Sequence, residues 1–182
     1  MDTSANRSDV LQEMNKVRQV RQYRDEPVDT ATVDALLEVA RWTGSSRNGQ
    51  PWHFVVVTDK AILKQLSQFR DSINWLADAP LGIAIALNGG DATQEAYDEG
   101  RVTERVMVAA HLAGLGSGVA WFLGDENEST AKSLLGVPDD YTLHSIIAIG
   151  HAISAKDPRP NANTSGRKPI SEIVSYNRMG GA

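Results

Sequence analysis

Ser45-Ser46-Arg47-Asn48-Gly49-Gln50-Pro51-Trp52 sets hydroxyl, amide and guanidinium side chains directly ahead of an apolar run, His53-Phe54-Val55-Val56-Val57. A polar loop that enters a buried strand in this way offers donors to a flat ligand edged with heteroatoms, because the strand makes the loop's platform rigid. The β-branched residues predict a buried strand over Trp52–Thr58. Upstream, Val33, Leu36, Leu37 and Ala40 recur at helical spacing, with Asp29 or Thr30 as cap and Gly44 as stop. A first helix is expected over Ser8–Lys16, capped by Ser8 and ended before Arg18. Downstream, Asp59 should cap a helix with Ile62, Leu63, Leu66 and Phe69 on one face, and Pro80 should open a strand over Leu81–Leu87.

The longest helix is expected from Thr93 to Ala113, with Val102, Val106, Ala109 and Ala113 inward and Gly114 closing it. Strands over Val119–Phe122 and Leu143–Gly150 bracket a short helix over Ser129–Leu135. From Ser154 to Gly166 the chain is rich in Pro, Asn, Ser and Gly and reads as an extended connection, since too little follows to build a second core. Irregularly mixed helices and strands give an α+β fold, with a sheet sandwiched by helices, and residues 1–182 are expected to form a single domain.

Composition narrows the chemistry. The 182 residues are 41% apolar and 23% charged, ordinary for a soluble protein with one well-buried core. There is no cysteine, which excludes disulfides, thiolate nucleophiles and cysteine-ligated metals together, so redox chemistry would need a borrowed cofactor. A net charge of −5 argues against nucleic acid. The amino terminus lacks a signal-peptide core and no apolar run approaches the roughly 20 residues of a membrane span, so a cytoplasmic location is expected, with no membrane partner. In that compartment the Asn-x-Ser triplets at Asn6, Asn127 and Asn163 are incidental. Acidic residues crowd the middle of the chain, whereas Lys156, Arg159, Arg167, Lys168 and Arg178 make the tail basic.

His53, His111, His144 and His151 show no metal-ligand spacing, and neither a nucleophile elbow nor a Walker loop occurs. Gly114-Leu115-Gly116-Ser117-Gly118 follows a helix and precedes a strand, the reverse of a dinucleotide fingerprint, and reads as a helix stop. Asp98, Glu99 and Glu104 lie on the long helix, where a solvated face is the expectation. Arg18, Arg21 and Arg24 stand where a helix hands over to extended chain, so their guanidiniums either meet a phosphate or anionic ring edge in bidentate fashion or pair with Asp25 and Glu26 at the surface.

The loop 45–52, taken with Arg18-Gln19-Val20-Arg21-Gln22-Tyr23 and Arg167-Lys168-Pro169-Ile170, resembles the FMN-dependent nitroreductase family in order and approximate spacing. Further along, Leu112-Ala113-Gly114-Leu115-Gly116 is similar to the end of that family's central helix. Leu135-Gly136-Val137-Pro138 is similar to a late turn, and Ile147-Ala148-Ile149-Gly150-His151 to its last core strand. The resemblance implies a nitroreductase-like α+β fold with a central, mostly antiparallel sheet flanked by helices. It also implies a homodimer in which the extended segment 154–182 is exchanged onto the partner subunit.

By matching position it implies that Arg18, Gln19 and Arg21 hold FMN, with Arg21 near the pyrimidine edge of the ring or the ribityl chain. Ser45, Ser46, Asn48 and Gln50 would line the ring across a subunit interface, Arg167 with Lys168 would meet the phosphate, and the Leu123-Gly124 backbone would lie beside N5. Two positions depart from the family: Val17 replaces a basic phosphate partner, and Gln19 stands where serine is frequent. Losing one charge-assisted phosphate bond costs roughly 1.5–3 kcal/mol, unless Lys168 or Arg159 substitutes.

The activity implied is ping-pong hydride transfer from NADH or NADPH through the flavin N5 to a nitroaromatic, quinone or activated alkene, with no dedicated catalytic side chain. The alternatives are a flavin-consuming or heterocycle-oxidising member of the same superfamily, and a non-catalytic flavin-binding or scaffold protein.

Overall fold

The computed structural model describes residues 3–88, 90–153 and 167–179. The element order is α1 (Thr3–Met14), α2 (Thr30–Arg41), β1 (Trp52–Val57), α3 (Lys60–Ser67), β2 (Leu81–Leu87), α4 (Ala92–Leu112), β3 (Gly116–Trp121), α5 (Asp125–Leu135) and β4 (Ser145–Gly150). One four-stranded sheet runs in the order β1-β2-β4-β3, and every neighbouring pair is antiparallel, as expected.

Alternation along the two central strands decides which layer each residue meets. Leu81, Ile83, Ile85 and Leu87 of β2 point with Ile147 and Ile149 of β4 toward α2 and α4, where Leu36, Ala40, Val102, Val106 and Ala110 complete one buried cluster. Ala84 and Ala86, with Ile146 and Ala148, face the other way onto Leu63, Leu66, Leu76, Phe122 and Ala131. β2 and β4 are therefore buried on both faces, and the sheet is sandwiched between helical layers.

Local signals worked where a side chain caps the backbone. The Asp29 carboxylate accepts from Thr32 N at 2.9 Å and that of Asp59 from Ala61 N at 2.7 Å, starting α2 and α3. Gly136, at φ 67°, ends α5 in the left-handed cap that glycine favours. Several expectations need correction. α1 begins earlier, so Ser8 lies inside it and is no cap. β1 is an edge strand whose residues are mostly half-exposed, with Val57 alone buried. Ala113 caps α4 at the surface, and Ala110 takes the inward place expected of it. β3 starts at Gly116, three residues early, and β4 at Ser145, two residues late. An eight-residue 3-10 segment, Asp71–Asp78, buries Ile73 and Leu76 where no element was expected. The expected connection Ser154–Gly166 lies outside the described residues.

The early start of β3 has a steric cause. Val20 N donates to Ser117 O at 2.7 Å as residues 17–23 pass over β3. A Cβ on Gly118 would stand 2.3 Å from Val20 O, and one on Gly116 2.8 Å from the Val20 side chain. Tyr23 is buried beyond, with its hydroxyl donating to Val20 O at 2.7 Å. Only Gly114 in this run, at φ 78°, acts as the helix stop that all of it was expected to be.

Gly118→Ala is expected to lower stability by about 1–3 kcal/mol, because backbone must move, whereas Gly100→Ala in α4 has open space and should raise it by roughly 0.5–1 kcal/mol. Urea unfolding of the two variants checks the pair, and equal shifts would contradict it.

Candidate functional site

Three backbone positions in the opening loop are unusual. Arg47, Asn48 and Gln50 have φ of 51°, 56° and 47°, the left-handed region that residues with a Cβ seldom occupy, while Gly49 between them has an ordinary φ of −66°. Such residues persist where the surroundings fix them, commonly at ligand sites. Ser45 helps to hold the loop, because its Oγ accepts from Gln50 N at 2.8 Å. Arg105 Nη1 donates to Trp42 O at 3.0 Å and secures the loop's root on α4. The side chains of Ser46, Asn48 and Gln50 are exposed, and that of Ser45 is half-exposed.

The segment 17–23 lies at the other edge of the sheet. Gln19 hooks β3: its Nε2 donates to Val119 O at 2.8 Å and its Oε1 accepts from Val119 N at 3.0 Å. That two-way amide pair extends the edge of β3 as another strand would, so Gln19 holds the segment in place while serving as scaffold. Arg21 is half-buried, with its guanidinium 5.8 Å from the centre of the Trp75 ring, a cation–π distance. Arg18 is exposed and donates from Nη1 to Asn15 O and Val17 O, at the carboxyl end of α1.

After β3, Leu123 (φ 56°) and Gly124 (φ 94°) form a turn ahead of α5. Asn127 Nδ2 donates to both Phe122 O and Leu123 O at 2.9 Å, clamping the turn. Arg167 and Lys168 are exposed ahead of a short 3-10 turn at Ile170–Glu172, in a stretch whose described residues are all exposed.

A single chain thus presents the expected residues in separate places. Loop 45–50 precedes β1 and segment 18–21 crosses β3, the two sheet edges, with β2 and β4 between them and a span of about 14 Å across the strands.

The acidic residues of α4 correct an expectation. Asp98 and Glu99 are buried, together with Glu95, instead of solvated. Glu95 accepts from Thr142 Oγ1 at 2.9 Å and from Gly90 N at 3.1 Å. Glu99 accepts from Ser145 Oγ at 2.6 Å and meets His144 Nδ1 at 3.2 Å, while Glu128 Oε1 of α5 accepts from Leu143 N at 2.9 Å. A signal existed: 95, 98, 99, 102 and 106 continue the i, i+3, i+4 stripe of Val102 and Val106. The carboxylates pin the segment Thr142–Ser145 that feeds β4. His144 also stacks on Trp121, at 6.1 Å between centres and 11° between planes, so the network reaches the end of β3 just before Leu123.

The Nitroreductase family model matches residues 16–82, which contain both segment 18–21 and loop 45–50. A protein of Archaeoglobus fulgidus with the provisional name NADH dehydrogenase/NAD(P)H nitroreductase is 28% identical over 147 residues, covering 77% of this chain and 83% of its own. The FMN reductase [NAD(P)H] of Bacillus subtilis is 27% identical over 174 residues, 84% and 70% of the two chains. The 5,6-dimethylbenzimidazole synthase of Rhodospirillum rubrum is 28% identical over 165 residues, 73% and 77%. Among solved structures, an FMN-dependent nitroreductase of Clostridium difficile superposes with a TM-score of 0.79 at 27% identity, covering 92% of this chain and 99% of that one. The fold is the nitroreductase α+β fold. The chain is similar to members of the nitroreductase family, in its fold throughout and in its sequence most directly over residues 16–82.

The Glu99 contact, with the Glu128 and Glu95 charges beyond it, raises the His144 pKa above its ordinary 6.5, against the opposing effect of partial burial. A raised pKa in the folded state contributes stability that is complete below pH 6.5 and is lost as pH rises through the folded value. Stability should therefore fall from pH 6 to 8 in the natural protein and fall less in His144→Gln, as read from urea midpoints. Parallel profiles would contradict the assignment.

Proposed function

We propose that the protein is an FMN-dependent NAD(P)H oxidoreductase working as a homodimer, with each flavin site built from both copies. The observation that carries the reading is loop 45–50, whose three left-handed non-glycine residues hold hydroxyl and amide side chains in the open ahead of β1. The donor set suits FMN: guanidiniums at Arg18 and Arg21, neutral donors at Ser45, Ser46, Asn48 and Gln50, and a turn backbone at Leu123-Gly124. When bound, FMN would supply hydride acceptance from NADH or NADPH and hydride donation to a nitroaromatic, quinone or activated alkene in a ping-pong cycle.

The chain's own part is binding and orientation. Arg21 would place positive charge at the pyrimidine edge, where it favours an electron-rich ring, and Trp75 holds that guanidinium in place. Asn127 would keep the Leu123-Gly124 turn in the shape that faces the ring. Gln19 leaves the ligand set of the expectation and becomes the anchor of the arginine segment. Arg167 and Lys168 would meet the phosphate.

A second copy is called for on two grounds. The loop and the arginine segment occupy opposite sheet edges of one chain, so a ligand touching both needs the loop of a neighbour. Apolar residues also stand uncovered: Tyr97 (69% exposed) and Leu112 (54%) line a groove of about 770 Å³ along α4, Trp42 (66%) is exposed at the end of α2, and Ile170 and Tyr176 of the tail are more exposed still. A patch of this kind marks an interface. The reach of segment 154–182 onto the partner, within a single domain of residues 1–182, belongs to the same proposal, and so does a cytoplasmic location. Among the described residues no helix is long and apolar enough to cross a membrane. A second reading is the alternative that the resemblance leaves open, in which the flavin is itself consumed, and the 28% identity to a 5,6-dimethylbenzimidazole synthase keeps a synthase activity beside the reductase one.

The protein incubated with FMN and desalted should be yellow. NADH or NADPH under anaerobic conditions should bleach it, and a quinone or nitroaromatic should restore the colour with the flavin intact by chromatography. Arg21→Ala should retain FMN about tenfold less tightly, consistent with losing one charge-assisted bond. A protein that stays colourless in excess FMN would refute the flavin reading, and loss of flavin mass on reoxidation would select the flavin-consuming one.

A further inference from the structure

His144 lies outside the proposed ligand set, yet it touches both flanks of the Leu123-Gly124 turn. Before the turn, its ring lies on Trp121, with centres 6.1 Å apart and planes 11° from parallel, and its carbonyl accepts from Phe122 N at 2.9 Å. After the turn, its Nε2 stands 3.9 Å from a carboxylate oxygen of Glu128, a residue in the first turn of α5 whose own N–H donates to Gly124 O at 3.0 Å. Asn127 clamps the turn from within. His144 ties the strand that enters it to the helix that leaves it.

Carboxylates face the ring at both nitrogens. Nδ1 is 3.2 Å from Oε2 of the buried Glu99, whose Oε1 accepts from Ser145 Oγ at 2.6 Å. Glu128 is anchored in the same way, since its Oε1 accepts from Leu143 N at 2.9 Å. A neutral imidazole carries one N–H and one lone pair, so it can donate to Glu99 only by turning the lone pair toward Glu128, whereas the imidazolium donates to the first and attracts the second. Glu95 lies one turn before Glu99 on α4, and Asp125 and Glu126 are exposed at the start of α5. Arg70, ahead of the 3-10 segment, donates to Trp121 O at 3.1 Å and adds a positive charge at the same strand end. The acidic majority favours the cation, and the Glu99 contact holds the His144 pKa above its ordinary 6.5.

We propose that His144 in its charged form is the positioning residue of the Leu123-Gly124 turn, and that loss of its proton releases Glu128 and the start of α5, so that the turn and the flavin beside it answer to pH. The flavin half of this rests on the flavin reading above. The coupling of the ring to the turn stands on the contacts alone.

Two measurements on the full-length protein test the proposal. In the flavin-free protein, NMR signals of the Leu123 and Gly124 amides should move with pH at the midpoint of the His144 ring signals. Glu128→Gln keeps an acceptor for Leu143 N but removes the charge, so the His144 midpoint should fall and the Gly124 movement should shrink, and His144→Gln should abolish that movement. With FMN, the natural protein's loss of affinity between pH 6.5 and 8.5 should exceed that of His144→Gln by about three- to tenfold, the effect of about one hydrogen bond. The ligand's own ionisation is common to both proteins and cancels. Turn amides that stay still while His144 titrates, or that move alike in His144→Gln, would overturn the proposal. Amides that follow His144 while FMN affinity changes equally with pH in both proteins would overturn its flavin half alone. If the natural protein binds no FMN at any pH, the flavin reading fails, and the amide titration decides the coupling.

Discussion

The passage of residues 17–23 over β3 is the contact on which the rest of the structure depends. It is possible because Gly116 and Gly118 present no Cβ to Val20, and because Gly150 gives way similarly to Pro80 and Tyr23, with Pro80 Cδ only 2.6 Å from where its Cβ would stand. Once Val20 is bonded to Ser117 and the Gln19 amide to Val119, Arg18 and Arg21 are fixed on either side of two anchored residues. The arginines therefore take their places from backbone packing. A larger residue at 118 would disturb the core and the candidate site through the same atoms.

A second constraint is electrostatic. Glu95 and Glu99 leave water to bind the segment before β4, where they accept from the Thr142 and Ser145 hydroxyls and from Gly90 N–H and meet His144. Buried carboxylates destabilise a fold unless satisfied in this way. Satisfied, they fix α4 against the sheet, and α4 in turn holds the root of loop 45–50 through Arg105. The two edges of the sheet are thus tied to one helix, which keeps the loop and the arginine segment in a set relation although they do not meet within one chain.

Much of this was legible in the residues. The caps at Asp29 and Asp59, the strand opened by Pro80 and the left-handed stop at Gly136 are local signals, and local signals carry over. What failed depended on contacts between distant segments. The glycines 116 and 118 read as a helix stop because their purpose, clearance for Val20, lies nearly a hundred positions away. The edge position of β1 could not be told from a buried strand by its valines. The burial of Glu95, Asp98 and Glu99 was visible as a continued stripe, yet charge outweighed spacing in the reading. For the candidate site, the residue types of loop 45–50 were legible, whereas the strain at Arg47, Asn48 and Gln50 and the scaffold role of Gln19 required coordinates.

The central claim is that one flavin site takes its arginine from one chain and its loop from another. Mixed dimers of an Arg21→Ala chain with a chain carrying glycine at 45, 46, 48 and 50, purified by separate tags, measure this most directly through bound FMN. If the site is shared, the mixed dimer contains one intact site and one doubly damaged site, so its flavin content should exceed that of either parent homodimer and approach half that of the natural protein. If each site lies within a single chain, both sites stay singly damaged, and a flavin content equal to the mean of the two parents would contradict the account.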